Sequence, residues 1–297
     1  MNDTIHHDKC PLCGGKELVA TVKAVDHLSS QREFAVVECA QCGFRFTQDA
    51  PNADTIGRYY ESPQYKPHNE DTGLMDRVYA RARSFMLSRK ARLIHRHVAT
   101  RGTLIDIGAG AGHFLEYMMR QGWKVKGCEQ SAQARASVRD RIGVDIEGDV
   151  AHASFADGEA QVITLWHAME HIHDLDELWH YLYRWLADDG LLVVALPNSD
   201  SADARHYGGD WAAYDVPRHL WHFTPRSFRK IAADHGFALV AINRLPLDAF
   251  YISLLTEHQR GTTLAPVVAA CKGLWFTIKA AFDKNRTSSL VYLLKKQ

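Results

Sequence analysis

Very little in this sequence marks it for a membrane or for export. No apolar leader precedes Asp3 and Lys9, which lie in a polar start. The longest apolar run toward the C-terminus, Leu264 to Cys271, is too short to cross a bilayer, and Lys272 and Lys279 break its continuation. A net charge is missing as well. The 35 basic and 35 acidic side chains cancel, which argues against a protein whose main task is neutralising nucleic-acid phosphates. The expectation is a cytoplasmic protein without a transmembrane segment, with nucleic acid disfavoured as a partner and peripheral contact the closest approach to lipid.

What is present suits a globular chain. With 297 residues, 46% of them hydrophobic and 24% charged, there is material for one large domain, or for a core domain with a small appendage. The charges are unevenly spread. Asp76 to Arg101 is basic, and Ala151 to Gly190 carries eight acids against Arg184 alone; both stretches read most simply as solvated helix faces.

Four of the six cysteines form two pairs, Cys10-Pro-Leu-Cys13 and Cys39-Ala-Gln-Cys42, each followed by glycine (Gly14, Gly43). Each C-x-x-C turn points two thiolates at one point, the glycine lets backbone amides face the sulfurs, and two such knuckles complete a tetrahedral zinc site. The alternating residues between them, around "REFAVVEC", read as strands of a zinc ribbon over 1–47. Five Lys or Arg against seven acids in residues 1–50 make the ribbon structural or protein-facing rather than a nucleic-acid grip. Cys128 and Cys271 have no partner at ligand spacing and read as packing residues.

Residues 48–100 read as a connector with aromatics (Tyr59, Tyr60, Tyr65, His68), which either pack on the next helix or form a lid over a bound cofactor, followed by a long helix over 75–97. Then "TLIDIGAGAGHFLEYMMRQG" gives an apolar strand, Asp106, the glycines Gly108, Gly110 and Gly112, and an amphipathic helix. Glycine there lets the chain swing from strand to helix and lets a ligand lie against bare backbone, so a bulky residue at Gly108 is expected to enter the ligand's space. A second strand closes at Glu129, where an acid can accept both hydroxyls of a ribose.

The D-x-G-x-G-x-G spacing, with Asp106 at the strand end, resembles the class I S-adenosylmethionine-dependent methyltransferases rather than the dinucleotide enzymes. The resemblance runs through Arg101–Gln297. It implies a doubly wound α/β sheet binding S-adenosylmethionine through Asp106, Gly108, Ala109, Gly110, Gly112, Glu129, Gln130, Asp149, Val150 and Trp166, with Tyr65 from the lid. "WHAMEH" and "WAAYDVPRHLWHFTPRSF" are similar to a bacterial subgroup that carries the four-cysteine ribbon and is often linked to surface-saccharide biosynthesis. That implies O- or C-methylation of a small-molecule or saccharide-containing acceptor. An rRNA or tRNA methyltransferase and a non-catalytic scaffold are the alternatives. Insertions are expected at 198–223, as the substrate wall, and at 246–285, as an apolar helical segment.

Methyl transfer needs a positioned nucleophile and a proton acceptor, a role suited to histidine. His219 is the first candidate, with His171, His167 and Glu170 behind it; Asp215, Arg218, His222 and Trp211 are candidates for holding the acceptor. His167, Glu170 and His171 share one face of a helical turn and, with His219, also make a donor set for a divalent metal; their imidazoles suit Zn, Fe or Ni better than Mg.

Overall fold

The computed structural model describes residues 3–61 and 74–297; Tyr65 and His68 of the expected lid lie outside them. The ribbon region contributes β1 (Thr4–Ile5), β2 (Leu18–Val25), β3 (Glu33–Cys39), β4 (Arg45–Thr47) and β5 (Ala50–Pro51). The long helix follows as α1 (Leu74–His95).

From Thr103 the chain alternates: β6 (Thr103–Ile107), α2 (His113–Arg120), β7 (Lys124–Cys128), α3 (Ala132–Ile142), β8 (Ala160–Trp166), α4 (Leu175–Trp185) and β9 (Leu186–Pro197). Next come α5 (Ala202–Tyr207), β10 (Trp221–His222), α6 (Pro225–Asp234), β11 (Phe237–Arg244), α7 (Asp248–Gln259), α8 (Ala265–Phe282) and β12 (Ser289–Lys296). The central sheet has the order β11-β12-β9-β8-β6-β7. Its β7, β6, β8 and β9 run parallel, and β12 is antiparallel to both β9 and β11. Strands buried on both faces must be apolar throughout, and "LLVVAL" of β9 is wholly buried.

Two local features depart from a regular alternation of strand and helix. The third parallel strand shrinks to a single bridge between Cys128 and Glu147, because only five residues separate Gly143, which ends α3, from Asp149. Asp189-Gly190 lies within β9 where its register against β8 shifts, not in a turn. A capping box starts α6: Thr224 accepts from the Ser227 amide, and Ser227 accepts from the Thr224 amide.

The ribbon is not a separate bead. Its sheet has the order β10-β4-β3-β2, so its last strand comes from the insertion after β9. Trp221 and His222 pair with Phe46 and Arg45. Phe44 and Trp221 stack at 5.9 Å, and Phe44 also meets Phe223. Earlier in the insertion, Gly209 approaches the ribbon so closely that an added Cβ would lie 2.1 Å from the carbonyl oxygen of Lys23.

The 246–285 insertion is a helical hairpin, α7 on α8. Gly273 admits the Phe250 ring, and Ala269, Phe276 and Ala280 are buried along the same face of α8. Leu274, Trp275, Ile278 and Phe282 are exposed. By length and composition α8 is apolar enough to cross a membrane, and 28% of it is buried in this fold.

Replacing Gly209 with valine forces a side chain into backbone, so it is expected to lower stability by about 2 kcal/mol or more. Urea unfolding checks this; an unchanged midpoint would mean that ribbon and insertion do not hold this contact in solution.

Candidate active site

Parallel strands β6, β7 and β8 end side by side, and the loops leaving them form the site. The Asp106 carboxylate is buried at the end of β6 and accepts a hydrogen bond from the Thr164 hydroxyl of β8 at 2.6 Å. Burial pushes its pKa up to about 7, against the opposing pull of Thr164 and of Lys90 on α1.

The glycines then divide the work. Gly108, Gly110 and Gly112 all have positive φ. A Cβ on Gly108 would meet the Ala168 side chain at 2.6 Å, so a larger residue there would collide with the neighbouring strand-end loop, while the Gly108 backbone itself is exposed. A Cβ on Gly110 would meet nothing within 4 Å, which makes Gly110 the bare backbone that faces open space. Its N–H donates to Glu129 Oε2 at 2.9 Å, and the Ser131 amide donates to Glu129 Oε1 at 2.9 Å. Two amides thus fix the carboxylate in plane, with lone pairs left over for further donors.

Ala109 is buried beneath this loop and Gln130 is exposed beside it. Asp149 caps the short turn Val150–His152 by accepting from the Ala151 amide at 3.0 Å, with Val150 buried behind it. Trp166, the last residue of β8, meets Phe114 edge to face at 5.4 Å, and Lys90 Nζ stands 4.2 Å over its ring. Burial lowers the Lys90 pKa, while Asp106 and Asp248 favour its charge. Lys90 and Asp248 were not anticipated. The only signals were a basic stretch before β6 and an acid at the start of a helical insertion, both ordinary surface features in a sequence.

Past β8 the chain makes a tight turn with His167 at φ 57°. His167 Nδ1 lies 3.5 Å from Glu170 Oε1, and Nε2 lies 3.4 Å from Asp248 Oδ2. Burial works against its charge, but the two carboxylates prevail and raise its pKa to about 9. Glu170 is buried. Burial works against its charge as well, yet His167, His219 and His171 around it hold its carboxyl below the usual range.

His171 and His219 meet edge to face at 4.6 Å. His171 Nδ1 lies 3.1 Å from the Arg218 carbonyl oxygen and 3.0 Å from the Tyr60 hydroxyl, and burial together with His219 lowers its pKa to about 4. His219 Nδ1 lies 2.9 Å from the Ala213 carbonyl oxygen, and Nε2 lies 3.8 Å from Asp215.

The remaining acceptor candidates are engaged elsewhere. Arg218, 1% exposed, pairs with Asp26 of the ribbon at 3.0 Å and with Asp215 at 2.6 Å, and donates to the Tyr59 carbonyl at 3.2 Å. His222 donates from Nε2 to the Thr47 hydroxyl at 2.9 Å, because that hydroxyl gives its own proton to the His219 carbonyl at 2.7 Å. Trp211 is buried and donates to Asp203 at 2.9 Å. These three tie the wall to the ribbon and to α5; the site brings together His167, Glu170, His171, His219 and Asp215.

At the other end of the ribbon the sulfurs of Cys10, Cys13, Cys39 and Cys42 lie within 4.8 Å of one another, with Cys10–Cys42 and Cys13–Cys39 each at 3.6 Å. A tetrahedral ion with bonds of about 2.3 Å to sulfur separates its ligands by about 3.8 Å, so the four thiols fit one. The amides of Gly14 and Gly43 return to the carbonyls of Cys10 and Cys39 at 2.8 Å, closing both knuckles.

A buried carboxylate with a raised pKa destabilises the fold once it ionises: the penalty is absent below the unfolded value near 4 and complete above about pH 7. Asp106→Asn keeps an acceptor for Thr164 and removes that charge. Urea titrations at pH 5 and pH 8 are expected to show a stabilisation of the unliganded protein that grows with pH, on the order of 2 kcal/mol or more at pH 8. A stabilisation that shrank with rising pH would show that Asp106 is not held as described.

A family model described as "Methyltransferase domain" matches residues 78–242. No curated protein matches the chain in sequence. Among solved structures, a Galdieria sulphuraria protein proposed as a sarcosine dimethylglycine methyltransferase is 14% identical, with a TM-score of 0.50 over 78% of this chain and 92% of that one. Geranyl diphosphate C-methyltransferase from Streptomyces coelicolor A3(2) is 18% identical, with a TM-score of 0.48 over 71% and 77% of the two chains. The 1,6-didemethyltoxoflavin-N1-methyltransferase of Burkholderia thailandensis is 15% identical, with a TM-score of 0.47 over 78% and 94%. Such identities speak to fold alone. The family match covers more than half of the chain and includes the glycine loop, β8 and the histidine-rich wall. The chain belongs to this methyltransferase-domain family and is built on the class I methyltransferase fold.

Proposed function

We propose that this enzyme transfers a methyl group from S-adenosylmethionine to a small-molecule or saccharide-containing acceptor at oxygen or carbon, and that its four cysteines hold a structural zinc. The observation that carries this reading is the bare backbone at Gly110 beside the pinned Glu129 carboxylate, one strand away from the imidazole cluster that follows β8. Glu129 suits a ribose diol. Asp106 suits the ammonium of the methionine moiety, and Lys90 beside it suits that moiety's carboxylate.

The chemistry is an in-line displacement. The acceptor's electron pair forms the new bond to the methyl carbon, the carbon–sulfur bond breaks, and S-adenosylhomocysteine leaves as a neutral thioether. Chain residues hold the two reactants in line and take the acceptor proton. His219 suits the base: its Nδ1–H is committed to the Ala213 carbonyl, so Nε2 carries the free pair. His167 does not suit it, because at a pKa of about 9 it is already protonated at neutral pH. The cysteine cluster lies next to the β10 contacts with the wall, since Phe44, two residues after Cys42, packs on Trp221 and Phe223, so its part is to hold that wall in place.

Calorimetry with S-adenosylmethionine tests the cofactor assignment. One molecule per chain is expected to bind the wild type, and Gly110→Val is expected to lose at least about tenfold in affinity, since its side chain fills the space the ligand needs. Equal affinity in a folded variant would move the cofactor elsewhere. His219→Ala is expected to keep cofactor affinity and to lower turnover by about 10²- to 10⁴-fold, as removal of a general base does. A loss of less than about threefold would make His219 a purely structural residue.

A further inference from the structure

Glu170 poses a problem that proton transfer alone does not solve. It is 1% exposed, and neither carboxylate oxygen accepts a hydrogen bond among the described residues; His167 Nδ1 stands off at 3.5 Å. His167, protonated at neutral pH, faces Oε1 and compensates part of this charge, but Oε2 has no hydrogen-bond partner among the described residues, and a buried carboxylate short of partners costs roughly several kcal/mol.

The two imidazoles beside it are oriented for such a cation. A carbonyl oxygen can only accept, so the contacts of His171 Nδ1 with the Arg218 carbonyl and of His219 Nδ1 with the Ala213 carbonyl place a proton on each Nδ1. Both rings therefore keep their lone pair at Nε2 when neutral. A backbone carbonyl that pins the far nitrogen of a histidine is the usual outer support of a metal-ligating imidazole. One donor atom from each of Glu170, His171 and His219 lies within 4.8 Å of the other two. An ion about 2.1 Å from each donor needs them no more than about 4.2 Å apart, so donors spread over the full 4.8 Å would draw together by about half an ångström.

We propose that Glu170, His171 and His219 bind one divalent transition-metal ion at the floor of the acceptor site. His167 is not part of the set, since its Nε2 is turned to Asp248. Two imidazoles and one carboxylate on one side of an ion favour Fe(II), Mn(II), Co(II) or Zn(II) over Mg(II), and they leave coordination positions open on the other side. Those positions face the acceptor. The acceptor class that uses them is one with neighbouring oxygen atoms, such as a vicinal diol, an enediol or a hydroxy acid, held by two oxygens while one of them is presented to the methyl group. A metal-bound hydroxyl ionises more readily, which removes the need for a free imidazole base. This inference rests on the methyltransferase reading and assigns His219 a ligand's part within it.

The test uses Mn(II), which avoids the soft thiolate ribbon and reports by electron paramagnetic resonance. The full chain, with its ribbon as purified, is titrated in parallel with the Glu170→Gln and His219→Asn variants. Calorimetry with S-adenosylmethionine on all three checks the fold and the cofactor site. The expected result is one Mn(II) per wild-type chain, at least about tenfold weaker binding in each variant, and cofactor affinity kept throughout. Wild-type protein that binds S-adenosylmethionine but no Mn(II), Co(II) or added Zn(II) would overturn the metal site and leave His219 as the base. Variants that bind Mn(II) like the wild type would overturn it equally. Wild-type protein that binds Mn(II) but no S-adenosylmethionine would support the metal site and defeat the methyltransferase reading instead.

Discussion

A single buried guanidinium sets the terms for this molecule. Arg218 lies between Asp26, in the turn that joins two ribbon strands, and Asp215, in the wall of the catalytic domain. Neither carboxylate comes from the glycine-rich sheet itself. Asp26 is in turn held by the amides of Leu28, Ser29 and Ser30, so the negative charge facing Arg218 is built into the ribbon's own backbone. Removing one partner of a buried ion pair leaves an uncompensated charge and costs about 3–5 kcal/mol, so the ribbon and the wall can separate only at great expense.

From that constraint the rest follows inward. Once Arg218 is fixed, its carbonyl holds His171, and the Leu220 amide beyond it reaches the Glu170 carbonyl at 2.9 Å. Trp221 pairs with the ribbon through its backbone and reaches the Ile172 carbonyl through its indole N–H at 2.6 Å. The turn after β8, which carries His167, Glu170 and His171, is thus gripped by a wall that is itself a strand of the ribbon sheet. Class I folds place their cofactor loops on rigid strand ends, as β6, β7 and β8 do here. The acceptor side has no such support from the sheet, and the ribbon provides it.

The sheet and the glycine loop were legible in the sequence because strand burial and ligand approach leave local marks: apolar runs, an acid at a strand end, glycines where a side chain would collide. The cysteine pairs were legible for the same reason, since C-x-x-C spacing is set by the ion's own geometry. Arg218, read as an acceptor-holding group, is engaged by Asp215 three residues away and by Asp26 of the ribbon, and no local pattern announces a partner as distant in sequence as Asp26. Lys90 and Asp248 went unseen because each looks like an ordinary helix charge until the fold sets it beside Asp106 or His167. The shared sheet of ribbon and wall was equally invisible: two residues, Trp221 and His222, are too short a strand to leave a periodicity. Gly108 shows the converse. Its conformation was anticipated, but only the fold could show that a side chain there would collide with Ala168 while one at Gly110 would meet nothing.

Hydrogen exchange on the intact chain tests most directly whether the ribbon holds the acceptor wall. Cys39→Ser opens one knuckle and leaves the glycine-rich sheet untouched. If the ribbon is what fixes the wall, amides of the segment 211–223 and of the turn 167–172 lose protection together with the ribbon strands, while those of β6, β8 and β9 keep theirs. Unchanged protection at 211–223, with exchange confined to the ribbon itself, would mean that the wall stands on its own and that the account of this architecture is wrong.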